Sequence, residues 1–147
     1  MKAIIVDDEL RYTSLLKDIL ELKNIEAFSF EEVGTALTYF ISMREAPIEF
    51  IAFIDLSLPI GFMPRHLSGY HVEGGREGLM LVDILAQEEI LTSQQLKRVV
   101  ISTAHRSNNV VHEIDKRMKQ FGISYFPKRP NLRINDYHNM VDQLVKS

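Results

Sequence analysis

Five short apolar runs, each followed by a segment with apolar residues at helical spacing, leave this chain few folds to choose from. Residues 2–6 form the first run, and 25–30, 48–54, 98–102 and 123–126 form the others. Between the first two, from Glu9 to about Lys23, Tyr12, Leu15, Leu16, Ile19 and Leu20 recur with the period of a helix, and Asn24 closes it. Val33, Ala36, Leu37, Phe40 and Ile41 mark a second helix, with Glu31 and Glu32 suited to its first turn and Pro47 as its stop. Further helices are expected from Gly78 to about Glu89, from Asn108 to Phe121 with Gly122 as the C′ residue, and from Ile134 to about Lys146.

Strands that alternate with helices pair in parallel through right-handed crossovers, with helices on both faces of the sheet. Five strands favour the flavodoxin-like, doubly wound (βα)5 arrangement, order 2-1-3-4-5, over the Rossmann order. The 147 residues suit one domain, 1–147, since no linker, repeat or change of composition divides them. A net charge of −3 argues against direct DNA binding. The absence of cysteine excludes disulfides, thiol catalysis and Cys-ligated zinc. With no signal-peptide core and no run long enough to span a membrane, a cytoplasmic protein is expected.

In such a sheet the C-terminal ends of the strands share one edge, where ligands bind. Strand one ends at Asp7 and Asp8, strand three at Asp55, strand four at Ser102-Thr103-Ala104 and strand five at Pro127-Lys128. Three converging carboxylates repel one another and raise the pKa of at least one, which a divalent cation relieves. Magnesium, a hard ion that takes carboxylates, waters and phosphate oxygens, fits this set, with Asp8 and Asp55 as direct ligands and Asp7 acting through water. Lys128 adds a point charge and Thr103 a hydroxyl donor. Each residue alone also has a plain structural role: Asp7 or Asp8 as helix N-cap, Asp55 as a turn residue, Thr103 as an ordinary strand end, Lys128 as solvated surface. Their joint order along the strand ends favours a site that holds a phosphoryl group on or beside Asp55.

The same segments resemble the receiver domain of two-component response regulators. Val6-Asp7-Asp8-Glu9 is similar to that family's acidic pair, and Phe53-Ile54-Asp55-Leu56-Ser57-Leu58-Pro59 to its phospho-acceptor segment. Val99-Val100-Ile101-Ser102-Thr103-Ala104 resembles the strand carrying the switch hydroxyl. Tyr125-Phe126-Pro127-Lys128 resembles the strand with the switch aromatic, and Gly78-Leu79-Met80-Leu81-Val82 the opening of the third helix. The resemblance implies that Asp55 accepts a phosphoryl group from a phosphohistidine on a sensor histidine kinase or histidine phosphotransfer protein. It also implies that Asp8, Asp55 and the Ser57 carbonyl hold Mg2+, and that Lys128 and Thr103 contact the phosphoryl oxygens. Thr103 and Tyr125 would then shift a surface of helix four, strand five and helix five, a face that also admits a homodimer. Ser57 and His105 stand where the family tunes dephosphorylation. Such a domain catalyses only its own phosphorylation and dephosphorylation.

Two departures stand out. Pro59 and Gly78 lie 19 positions apart, where the family uses a few residues. The insertion, about 60–77, carries Arg65, His66, His71 and Arg76, and reads either as a lid or partner-docking loop or as a surface excursion. His66 and His71 lack an acid or cysteine at zinc-ligand spacing. After Lys128, Arg129 intervenes before Pro130, where the family has proline directly, often after a cis bond. Two rival readings remain: a phospho-independent protein-binding module on the same fold, and an aspartyl-phosphate phosphatase. The latter needs a second aspartate two residues after the nucleophile, where this chain has Ser57.

Overall fold

The computed structural model describes residues 1–70, 74–91, 96–104, 107–129 and 131–146. Its centre is a pair of strands that bury nearly everything they carry. In β3 (Phe50–Ile54) all five residues are buried, and in β1 (Lys2–Val6) all but Lys2 are. Such runs lack polar alternation because helices cover both faces of a parallel sheet. The edge strand β2 (Glu26–Phe30) is only half covered. With β4 (Leu96–Thr103) and β5 (Ser124–Pro127) the sheet is parallel throughout, in the order β2-β1-β3-β4-β5. The expected flavodoxin-like order is therefore the one observed.

The two-residue period of the strands divides the core. Ile4, Val6, Ala52, Ile54 and Ile101 pack with α2 (Val33–Ser42), α3 (Glu77–Gln87) and α4 (Asn108–Phe121). Ala3, Ile5, Ile51, Phe53 and Val100 face α1 (Leu10–Leu22) and α5 (Ile134–Lys146). Gly122 closes α4 at φ 70°, its N–H donating to the Met118 carbonyl at 2.9 Å, as its sequence position predicts. Other boundaries differ from expectation. The helix α2 begins after Glu31 and Glu32 and ends at Ser42, before Pro47. The helix α3 ends at Gln87, and Glu89 takes the left-handed conformation at φ 60°. Neither end carries the glycine or proline that would make it visible in the sequence.

The described part of the insertion is folded onto the α2–α3 side. The N–H groups of Val33 and Gly34, at the bare start of α2, donate to the carbonyls of Pro59 and Ile60 at 2.9 and 2.7 Å. These carbonyls, at the start of the insertion, take the place of a side-chain cap, which Glu32 does not provide. Gly34 makes the approach possible: a Cβ there would lie 1.9 Å from the Phe62 carbonyl oxygen. Beyond a single 3-10 turn at Arg65–Leu67, Leu67 is buried, Met63 and Tyr70 pack on the core, and the Tyr70 hydroxyl donates to Gln87. His71 lies outside the described residues.

Candidate functional site

The register of the sheet brings the strand-end residues level with one another. Val6 pairs with both Phe30 and Ile54, and Thr103 pairs with Pro127. The Asp7 N–H donates to the Phe30 carbonyl at 3.0 Å and the Asp55 N–H to the Val6 carbonyl at 2.9 Å. On the other side of β4, the Lys128 N–H donates to the Thr103 carbonyl at 2.9 Å. Every candidate side chain but Ser57 and Asp8 thus leaves a backbone already pinned by a strand-end hydrogen bond or pairing. Behind Asp55, Gly78 opens α3 so closely that a Cβ would lie 2.0 Å from the Asp55 carbonyl oxygen, and its N–H donates to Leu56 at 2.8 Å.

Carboxylate oxygens of Asp7, Asp8 and Asp55 all lie within 4.8 Å of one another. Asp7 is buried, Asp55 partly buried and Asp8 exposed. Both Asp7 oxygens are engaged: Oδ1 accepts from the Glu9 N–H at 2.9 Å and Oδ2 from Lys128 Nζ at 2.7 Å. The N-terminal residue before α1 is Glu9, and it makes no side-chain cap, so the Asp7 bond is a short loop contact rather than a helix cap. Lys128 Nζ also lies 3.6 Å from Asp55 Oδ2 and 3.5 Å from Glu9 Oε2. Asp55 Oδ1 accepts from the Leu56 N–H at 2.7 Å.

Burial is the largest influence on the acids. It pushes the Asp55 carboxyl up from 3.8 to about 6, against the pull of the Lys128 charge and with a further push from Asp7. Burial also raises Asp7, although the Lys128 hydrogen bond and charge oppose it. For Lys128, burial acts downwards, but the charge of Asp55 and the bond to Asp7 outweigh it and the ammonium is held above its ordinary range. One cation therefore serves a buried and a partly buried acid and satisfies neither fully.

Of the other sequence candidates, Thr103 is buried at the end of β4 and Ser57 is exposed in the loop after β3. Tyr125 is partly buried against the α2–α3–α4 side of the core. Arg129 is exposed, and all peptide bonds of the described residues are trans. His105 and Pro130 lie outside the described residues. Sequence reasoning missed the place of Tyr12 at the site, and it named Ser102 only as part of the strand-four end. Tyr12 counts there only as one of the apolar residues of α1, yet Lys128 Nζ sits 4.0 Å from its ring centroid. Its hydroxyl and the Ser102 hydroxyl form a buried 2.7 Å hydrogen bond. The available signal was a tyrosine in a buried stripe, whose hydroxyl requires a partner.

No protein-family model matches the sequence, and no curated protein matches it. The fold, in contrast, matches 172 chains of solved structures. A response regulator from Thermotoga maritima is 16% identical, with 99% of this chain and 98% of that one covered at a TM-score of 0.63. A CheY-like response regulator receiver domain protein from Methanospirillum hungatei JF-1 is 17% identical, covering 99% and 94% at 0.64. The BeF3-activated N-terminal receiver domain of Klebsiella pneumoniae RstA is 15% identical, covering all of both chains at 0.64. The chain thus has the fold of response regulator receiver domains over essentially its whole length. Among the described residues, no helix is long and apolar enough to cross a membrane.

Proposed function

We propose that this protein is a phospho-accepting receiver domain, residues 1–147 with an insertion at about 60–77, in which Asp55 takes a phosphoryl group from a phosphohistidine. The observation that carries the reading is Lys128. From the end of β5 its ammonium reaches Asp7 at 2.7 Å and Asp55 at 3.6 Å, inside a cluster completed by Asp8. A carboxylate oxygen of Asp55 attacks phosphorus, a P–O bond forms, and the P–N bond to the donor imidazole breaks with its electron pair leaving on nitrogen. Lys128 neutralises charge on the transferring phosphoryl oxygens, and the Thr103 hydroxyl donates to one of them. Positioning and electrostatics of this kind are what phosphoryl transfer demands of a protein.

The donor set fits Mg2+. It is all oxygen, it concentrates three acids within 4.8 Å, and two of those acids are raised by burial that one lysine does not offset. Asp8, Asp55 and the Ser57 carbonyl would hold the ion, with Asp7, already engaged on both oxygens, acting through water. When bound, the ion supplies positive charge to the phosphoryl oxygens. The partners this reading implies are a sensor histidine kinase or a histidine phosphotransfer protein, in the cytoplasm, and an output partner that reads a surface shifted by Thr103 and Tyr125. The protein would then be a signalling domain whose only catalysis is on its own aspartate.

Intact-mass measurement after incubation with Mg2+ and acetyl phosphate tests the reading. One hydroxylamine-labile phosphoryl group is expected on the wild type and none on Asp55→Asn. A wild type that takes up none points instead to a phospho-independent binding module, and steady turnover of a phosphate ester to a phosphatase.

A further inference from the structure

Lys128 reaches the carboxylates from a backbone with little of its own to hold a long side chain still. Its N–H is fixed by Thr103, but four methylenes separate that anchor from the ammonium. The aromatic face that the ammonium lies over, Tyr12 at 4.0 Å to the centroid, belongs to α1. A cation over a phenol ring is attracted by the ring quadrupole, more strongly where water is excluded. Water is largely excluded here: Tyr12 is 6% exposed and the Lys128 side chain 10%.

The ring is itself braced. Its hydroxyl shares a 2.7 Å hydrogen bond with Ser102, next to Thr103 in β4. Its edge meets Tyr137 of α5 at 5.8 Å between centroids, and Tyr137 in turn meets Phe126 of β5 at 5.5 Å, both in T-shaped contacts. Tyr12 of α1 thus meets α5 and β4, with β5 behind Tyr137, and the lysine lies over its face.

We propose that Tyr12 is a positioning residue: its ring holds the Lys128 ammonium over the Asp7–Asp55 cluster, and its hydroxyl bond to Ser102 holds the ring. The inference rests on the reading of Asp55 as phosphoryl acceptor for its kinetic consequence, although not for the contact itself. Loss of the ring removes the contact that fixes the ammonium from the α1 side, leaving the carboxylates alone to hold it, and lowers the maximal rate of Asp55 phosphorylation, while the acetyl phosphate concentration for half-maximal rate changes little.

Two measurements test it. In the metal-free protein, NMR of the Lys128 Hε protons is expected to show an upfield ring-current shift that Tyr12→Leu abolishes and Tyr12→Phe keeps. This arm needs no phosphorylation, so it decides the contact even if Asp55 takes no phosphoryl group. With Mg2+ and acetyl phosphate, Tyr12→Leu is expected to lower the maximal rate about tenfold, and Tyr12→Phe to recover most of that loss. Ser102→Ala is expected to match Tyr12→Phe, and the double variant to be no worse than either, since both remove one bond. Rates are normalised to the folded fraction, so lost stability alone leaves them unchanged. A Lys128 shift insensitive to residue 12 overturns the contact. A Tyr12→Leu phosphorylation rate equal to that of the wild type overturns the positioning role.

Discussion

Asp55 is a carboxylate that the fold keeps charged at a cost. Its folded-state pKa, about 6 against 3.8, lies above the unfolded value, so folding favours the protonated form. Stability from this group is therefore fully present below pH 4 and is lost as pH rises through about 6. From the 3.8-to-6 shift the loss above pH 7 is about 3 kcal/mol. In EDTA, urea unfolding should find Asp55→Asn more stable than the wild type at pH 7.5 and equal to it below pH 4; a gap independent of pH would remove burial as the cause. Gly78 makes a second prediction at this scale. A Cβ 2.0 Å from the Asp55 carbonyl must move either α3 or Asp55, so Gly78→Ala should cost about 1–3 kcal/mol and, on the proposed function, slow phosphorylation of the folded fraction as well. Thermal melts and intact-mass kinetics on one preparation separate the two effects.

At the scale of elements, the insertion and α4 are the parts whose attachment is least obvious. Pro59 and the first inserted residue, Ile60, supply the carbonyls that the start of α2 lacks, and the insertion leaves Phe62 almost wholly exposed above that junction. Gly34→Ala would set a Cβ 1.9 Å from the Phe62 carbonyl, so a loss of about 1–3 kcal/mol is expected in chemical denaturation. Unlike Gly78→Ala, it should leave the phosphorylation rate of the folded protein unchanged, because Asp55 and β3 are not touched. The helix α4 buries only Val110 and Ile114 outright. Arg117 fastens it, forking onto Asp83 of α3 at 2.9 and 2.7 Å and onto Glu113 at 2.9 Å. With Asp83 41% exposed, solvent screens this clamp, and Arg117→Met is expected to cost about 1 kcal/mol or less. Amide exchange should nevertheless quicken along α4 and not along α1. Uniform exchange in the variant would mean that Val110 and Ile114 suffice.

For the whole molecule, the Mg2+ site proposed at the acidic edge would couple ion binding to folding. A ligand that binds only the folded state at ten times its Kd stabilises by about 1.4 kcal/mol. Mg2+ at that level should raise the melting temperature of the wild type and do so much less for Asp55→Asn, whose carboxylate is gone. Equal shifts in the two proteins would place the ion elsewhere. Calorimetry with Ca2+ in parallel distinguishes a selective site from general screening of the net charge of −3.

By itself the sequence determined the strand count, the parallel order and the strand ends, because apolar runs and helical stripes are local patterns set by burial. It thereby placed Asp7, Asp8, Asp55, Thr103 and Lys128 on one edge, since in a parallel sheet every strand ends on the same side. It did not reveal where α2 and α3 end, because Ser42 and Gln87 carry no capping signal. Only the tertiary structure decided that the 60–70 segment lies on α2 and α3, since the start of α2 finds its acceptors 26 residues away, at Pro59 and Ile60. Only the structure brought Tyr12 beneath Lys128, 116 positions along the chain, with Ser102 to hold the ring. Those contacts join residues that share no pattern, and proximity through packing is a property that no local stretch of sequence encodes.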